Sequence, residues 1–188
     1  MVVIMVQTRV DRKRIYAEKQ QAEVDALVNQ GVILCGNAFS TVLFLKGDPG
    51  PQDGNGKTLF TGPDGKALQA SLRALGYDPA GWCGVASWNT QGESLDPTLL
   101  RQTIAALDPQ TVIIVDDTAA AVMREAYAEE LSALDDFSCA MLQPGAIAYI
   151  CGMRVMNLGG FEASLNDAHE KQIMWARLKE LPPEVAPY

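Results

Sequence analysis

Two short apolar runs constrain the fold of this chain more than any other feature. Residues 41–45 (TVLFL) and 111–115 (TVIIV) contain only one polar residue each, a leading threonine, and are rich in β-branched and aromatic side chains. Runs of this length without polar alternation are typical of strands that are buried on both faces. Such strands need a layer of helices on each side, which favours a parallel-sheet core.

Helical patterns separate most of the predicted strands. We predict further strands over 31–36, 81–88, 146–152 and 154–159, and helices over 14–30, 63–76, 96–109, 118–134 and 163–181. The alternation of strands and helices predicts an α/β fold. Its expected form is a three-layer α/β/α sandwich with a mostly parallel central sheet, occupying residues 1–188 as one domain.

Charge and hydropathy exclude several classes of protein. The formal net charge is −8, which is unfavourable for gripping DNA mainly through its phosphates, since each contact needs a Lys or Arg. No apolar run approaches the ~20 residues of a membrane span. At the start of the chain the apolar residues precede the charged ones, which is the reverse of a secretory signal. We therefore expect a cytoplasmic protein that has no membrane partner.

The cysteines give no sign of a metal or cofactor. Cys35, Cys83, Cys139 and Cys151 are too far apart in sequence to form a C-x-x-C pair, the usual mark of zinc or iron–sulfur ligands. We expect buried free thiols that act as small apolar side chains. Disulfides are not expected in a reducing compartment.

The loop 47–65 follows the first buried run and holds six glycines and three prolines. In sheets with parallel strands, ligands bind beyond the carboxyl ends of the strands. Asp116 and Asp117 follow the second buried run, and residues 158–161 follow another predicted strand. We therefore expect these three segments to share one edge of the sheet and to build the site there.

Residues 47–78, GDPGPQDGNGKTLFTGPDGKALQASLRALGYD, resemble the uracil-DNA glycosylase superfamily. The nearest branch is the bacterial one that carries an iron–sulfur cluster. Its GE-x-PG motif matches 47–50, its acidic stretch matches 52–53, and its G-x-PF-x-G-x-x-G motif matches 56–65 before a helix that ends at Gly76. Similarity of pattern extends over about 31–181. The resemblance implies a sandwich of the uracil-DNA glycosylase type.

The resemblance also implies a pocket for a base that has been flipped out of the stack. Asp48 matches the carboxylate that positions water or stabilises the cationic sugar, and Phe60 matches the ring that stacks on the base. The implied base-binding residues are Gly47, Pro49, Gly50, Phe60, Gly62 and Ser87. The implied pocket rim is Asp53, Asp116, Asp117, Gly160 and Phe161.

Several of these residues also have structural interpretations. Asp48 could be a turn residue, and Phe60 and Phe161 could be core aromatics, although Phe161 also fits a wedge that enters the duplex. Asp117, or the threonine after it, could cap the helix that follows. Asp116 and Asp117 could instead bring polar groups to the pocket or bind a cation with Asp48.

The chain departs from the family at three places. Ala86 stands where the family has the Asn that reads the base edge, with Ser87 beside it. Gly160 stands where the family has the His that stabilises charge on the departing base. The cluster cysteines are missing, so no iron–sulfur cluster and no other cofactor or metal is expected. The single histidine, His169, is expected on an exposed helical face.

Three functions follow as hypotheses, and the enzymatic status stays open among them. The first is a divergent DNA glycosylase with weak or altered base excision at the 47–65 loop. The second is a protein that binds a free base or nucleotide but has lost the chemistry. The third is a hydrolase of small nucleotides that uses Asp116 and Asp117.

Overall fold

The computed structural model describes residues 9–184. Its strands are Val32–Gly36 (β1), Val42–Lys46 (β2), Trp82–Asn89 (β3), Thr111–Ile114 (β4), Ile147–Ile150 (β5) and Met153–Asn157 (β6). They form a six-stranded sheet in the order β1-β3-β2-β4-β6-β5. Both apolar runs lie at the centre of this sheet, as β2 and β4, which is the position that strands buried on both faces require.

Eight α-helices lie within the described residues. They are Arg9–Asn29 (α1), Pro63–Leu75 (α2), Pro97–Leu107 (α3), Asp117–Ala126 (α4), Ala128–Ser132 (α5), Phe137–Ala140 (α6), Phe161–Ser164 (α7) and Ala168–Lys179 (α8). The last two predicted helices are interrupted. The second interruption arises because Asp167 accepts the N–H groups of His169 and Glu170, which starts a new helix there.

The sheet is mixed, so the prediction of a mostly parallel sheet was wrong. β3, β2, β4 and β6 run parallel, but each edge strand is antiparallel to its neighbour. β5 and β6 are joined by Cys151 and Gly152, whose φ values of 48° and 77° make a tight hairpin turn. Only residues 37–41 connect β1 to β2, which is too short for a parallel crossover.

Helices cover both faces of the sheet, as the α/β prediction requires. On one face the strand residues Leu43, Val85 and Val112 belong to a core that includes residues of α1, α3 and α4. On the other face Phe44 and Ile113 belong to a second core, with residues of α2, α7 and α8. Alternate residues of one strand therefore serve different cores.

The cysteines differ in exposure. Cys83 is buried and Cys35 and Cys139 are half-buried, but Cys151 is exposed in the hairpin turn, so the expectation of burial was wrong there. Burial raises the pKa of Cys35 to about 11 and that of Cys83 to about 12, which keeps both as unreactive thiols at neutral pH.

No helix within residues 9–184 is both long enough and apolar enough to pass through a bilayer. Residues 1–8, which contributed to the expectation about a secretory signal, lie outside the described residues.

Candidate functional site

A cleft of about 340 Å³ lies where the chain leaves β2, β4 and β6. The three segments that were expected at one edge of the sheet meet there. Its lining residues are Lys46, Asp48, Asp64, Val115, Asp116, Gly160, Phe161, Glu162, Ala163 and Asn166. The lining is therefore rich in carboxylates and contains a single ammonium group.

The ammonium group belongs to Lys46, the last residue of β2, which is only 2% exposed. Its Nζ lies 2.6 Å from an oxygen of Asp53, 2.6 Å from an oxygen of Asp64 and 3.3 Å from an oxygen of Glu162. Burial alone would lower the pKa of Lys46, but the hydrogen bonds to Asp53 and Asp64 outweigh it and raise the pKa. Lys46 is therefore a permanent cation and not a general base.

The same ammonium group folds the 47–65 loop. Asp53 lies in the middle of the loop and also accepts the N–H of Gly50 at 2.7 Å. Asp64 lies in the first turn of α2, where the loop ends. Two distant points of the loop are thus fixed to one buried cation. Asp53 was expected at the pocket rim, but it is buried, because its carboxylate is the partner that Lys46 needs.

Asp116 fastens the start of the loop to the neighbouring helix. One of its carboxylate oxygens accepts the N–H of Ala119 at 2.8 Å, and the other accepts the N–H groups of Gly47 at 2.8 Å and Asp48 at 3.2 Å. Asp116 is therefore the N-cap of α4, so the prediction of Asp117 or Thr118 as the cap was wrong by one or two residues. Burial raises the pKa of Asp116, although these hydrogen bonds act against the shift.

Gly47 is required for this close approach. A Cβ at Gly47 would lie 2.2 Å from the backbone nitrogen of Ala119 and 2.4 Å from a carboxylate oxygen of Asp116. Any side chain would separate the loop from α4. The glycine therefore allows two backbones to meet, and it does so without lining the cleft itself.

Asp48 differs from the other acids of the cleft. Its peptide N–H is held by Asp116, but its side chain is exposed at the cleft. Its carboxylate forms no hydrogen bond or ion pair with any residue in the described range 9–184. A carboxylate with a fixed backbone and free oxygens is available to a ligand or to water.

Phe60 does not line the cleft. It is 5% exposed, and its ring packs against Phe44 and Trp82 with centroid distances of 5.8 and 5.9 Å. Phe60 is therefore a core aromatic in the structure and not an exposed ring at the cleft. Its backbone has a φ of 55°, so the loop turns sharply at this residue and drives the ring inward.

Ser87 and Asp117 also lie outside the cleft. Ser87 lies two residues after Val85 in β3 and so shares its face of the sheet, which packs against α3 and α4. Its hydroxyl therefore lies on the face opposite Lys46. That hydroxyl is buried and has no hydrogen-bond partner among the residues that the structure describes. Asp117 is exposed and accepts a hydrogen bond from Asn157 at 3.2 Å.

The remaining predicted residues support the loop or the cleft wall. Pro49 is exposed, and Gly50 lies so close to Glu162 that a Cβ there would be 2.8 Å from its oxygens. Gly62 is the N-cap of α2. Gly160 and Phe161 line the cleft, but Phe161 is buried in the core and cannot act as an exposed wedge in this conformation.

The sequence interpretation missed Lys46, Asp64 and Glu162. A signal for Lys46 was available, because a lysine that directly continues a fully apolar strand will be buried and must then be paired. The partners of Lys46 could not be identified from the sequence, since Glu162 lies more than a hundred positions further along the chain.

The carboxylates do not converge on a vacant position. No group of three or more His, Cys, Asp or Glu side chains in the described part of the chain is arranged to hold a metal ion. Asp53 and Asp64 surround the ammonium group, and both oxygens of Asp116 accept backbone N–H groups. A cation shared by Asp48 and Asp116 has no support in this geometry.

No protein-family model matches the chain, and no curated protein is significantly similar to it.

Proposed function

We propose that this chain is a divergent member of the uracil-DNA glycosylase superfamily and hydrolyses the N-glycosidic bond of a damaged base held in the cleft. The supporting observation is the state of Asp48. Its backbone is fixed by Asp116, and its carboxylate is unengaged at the mouth of the cleft. That is the position which the motif resemblance gives to the water-positioning carboxylate.

In the proposed reaction, Asp48 orients a water molecule towards C1′ of the sugar. The water oxygen forms a bond to C1′ as the bond from C1′ to the base nitrogen breaks. The electron pair of that bond goes to the base, and the proton of the water goes to Asp48. A cleft of about 340 Å³ is near the lower end of ordinary ligand sites, about 300–1,000 Å³, and suits a base with its sugar.

The charge of the cleft favours a base that is cationic before it leaves. Uracil departs as an anion, and carboxylates at short range oppose that charge. Gly160 offers no cation in the place where the family has a His. A purine methylated at N7 carries a positive charge and leaves as a neutral molecule. Its departure therefore needs no positive group in the cleft.

We expect N7-methylguanine to be excised from single-stranded DNA at least about tenfold faster than uracil, because about 1.4 kcal/mol of electrostatic preference produces that ratio. Single-turnover rates with protein in excess, corrected for spontaneous depurination, measure it. Faster release of uracil would contradict the charge argument and leave the role of Asp48 to be judged separately.

The variant Asp48→Asn tests the proposed function. We expect the excision rate to fall about 10²–10⁴-fold, the range of general acid–base effects, because the amide cannot take the proton of water. The free energy of unfolding should change by less than about 0.5 kcal/mol, since the side chain is exposed. Single-turnover oligonucleotide cleavage after alkali treatment gives the rate, and urea unfolding gives the stability.

Asp117→Asn is the matched control, because Asp117 is an exposed acid at the same edge of the sheet but outside the cleft. It should excise at the wild-type rate. Equal losses in both variants would remove the specific role of Asp48. No product from the wild-type protein on any damaged base would favour a protein that binds bases without turnover.

A hydrolase that uses Asp116 and Asp117 together has little support. The carboxylate of Asp116 accepts hydrogen bonds from three backbone N–H groups, and that of Asp117 accepts one from the side chain of Asn157. The two carboxylates therefore do not share a substrate position.

A further inference from the structure

We propose that the groove between α2 and α8 binds single-stranded nucleic acid beside the cleft. This inference rests on the proposed function, because the bound strand would be the one that presents the base to the cleft. The binding itself can be tested without turnover. The groove has a volume of about 510 Å³ and is lined mostly by apolar side chains. Phe161 lies in the wall of both the groove and the cleft, so the two are adjacent.

An aromatic side chain on the groove wall offers a stacking surface. Trp175 is 36% exposed, although large aromatic side chains are usually more fully buried. It stands next to Met174 and Leu178, which are buried beneath the groove. Nucleic acid bases stack on exposed aromatic rings of this kind with little dependence on sequence.

One cation, Lys171, lines the groove, and three more stand on the two helices that form its walls. On α8, Lys171, Trp175 and Lys179 follow one another at intervals of four residues and share one stripe. On α2, Lys66 and Arg73 are exposed within one helical turn of the lining residue Ala70. None of these four cations forms an ion pair with a residue that the structure describes.

Few acids oppose these cations on the two helices. The one acid of α2, Asp64, is buried and paired with Lys46. Glu170 is the one acid within α8, and Glu180 follows its last turn. In a protein of formal charge −8, the four cations thus outnumber the exposed acids of these two helices, which are Glu170, Glu180 and the N-cap Asp167. Charge complementarity therefore favours an anionic strand, and the exposed indole favours one that carries bases.

The dimensions fit a short stretch of a single strand. The groove wall on α2 extends from Pro63 to Ser71, which at 1.5 Å per residue is about 12 Å. At about 3.4 Å per nucleotide of a stacked strand, that length accommodates roughly three nucleotides. Stacking on Trp175 requires a base that is free of its partner, so binding should prefer single strands.

The test is fluorescence anisotropy with a labelled, undamaged single-stranded oligothymidine at several salt concentrations. We expect Trp175→Ala to weaken binding about tenfold or more, within the range for loss of a stacked base, and Trp175→Phe to retain most of the affinity. We expect Lys171→Gln with Lys179→Gln to reduce the slope of log affinity against log salt by about 0.7 for each phosphate that is no longer neutralised. The duplex of the same length should bind more weakly.

Lys19→Gln is the control, because Lys19 is an exposed lysine on α1, away from the groove. It should leave affinity and salt dependence unchanged. Absence of binding at low salt, or equal binding by the wild type and the groove variants, would overturn the proposal. Stronger binding of a glutamate-rich peptide than of the oligonucleotide would also overturn it, in favour of an acidic protein segment.

The outcome is separable from that of the proposed function. Undamaged oligothymidine contains no base to excise, so Asp48→Asn should bind it as the wild type does. If strands bind through the groove but no base is released, the excision proposal fails and the groove stands. If the groove variants bind strands as the wild type does and release bases at unchanged rates, the groove proposal fails and the excision proposal stands.

Discussion

Replacing Lys46 with methionine is expected to lower the free energy of unfolding by about 3–5 kcal/mol. The methionine fills the space of the lysine stem but leaves Asp53 and Asp64 buried without their cation. Removal of one partner from a buried ion pair is costly because the remaining charge cannot be hydrated. Urea unfolding at neutral pH measures the change.

Raising the pH from 7 to 9 does not remove this effect. The folded-state pKa of Lys46 is raised, so its contribution to stability is complete below the unfolded value of about 10.4 and is lost only as the pH rises further. The difference from the wild type should therefore be the same at pH 7 and pH 9.

Lys66→Met is the matched control, since Lys66 is an exposed lysine on α2 without an ion-pair partner among residues 9–184. It should change stability by less than about 0.5 kcal/mol. Adding Asp53→Asn and Asp64→Asn to Lys46→Met should recover part of the stability, because none of the three positions then carries a buried charge. If Lys46→Met is as stable as Lys66→Met, the ammonium group does not hold the loop.

Replacing Gly65 with alanine is expected to cost more than about 4 kcal/mol or to prevent folding, which places it among the exceptional substitutions. The added Cβ would lie 1.9 Å from the carbonyl oxygen of Phe60 and 2.7 Å from its carbonyl carbon. Both are backbone atoms that cannot rotate away. Relief would require moving the start of α2, which would draw Asp64 away from Lys46. Circular dichroism and urea unfolding measure the outcome.

Gly76→Ala separates this clash from ordinary glycine strain. Gly76 ends α2 with a φ of 90°, but a Cβ there meets nothing within 4 Å. Its replacement should cost about 1–2 kcal/mol, the penalty for a left-handed conformation. If the two variants were equally stable, the close packing of Gly65 on Phe60 would not be a constraint on the fold.

The sequence was informative wherever one element's own pattern decides its structure. The apolar runs became the central strands β2 and β4, and the helix that ends at Gly76 has the predicted glycine in a left-handed conformation. The position of the loop 47–65 at an edge of the sheet also followed from its place after a buried strand. Periodicity and end signals are local, so a single segment carries them.

The direction of the edge strands could not be read in this way. β1 and β5 have strand-like sequences, and their antiparallel pairing follows from which neighbour each finds and from the short connections beside them. A strand pattern records burial on its two faces. It does not record the identity or direction of the strand that pairs with its edge.

The candidate site shows the same division. The sequence alone determined that the chain is an α/β protein and that Asp48, Asp116 and Gly160 lie at one edge of its sheet. Tertiary structure alone decided that Phe60 turns into the core, that Ser87 belongs to the opposite face, and that Lys46 collects Asp53, Asp64 and Glu162. The physical reason is that a buried charge must find partners within a few ångströms, and those partners come from segments far apart in the chain.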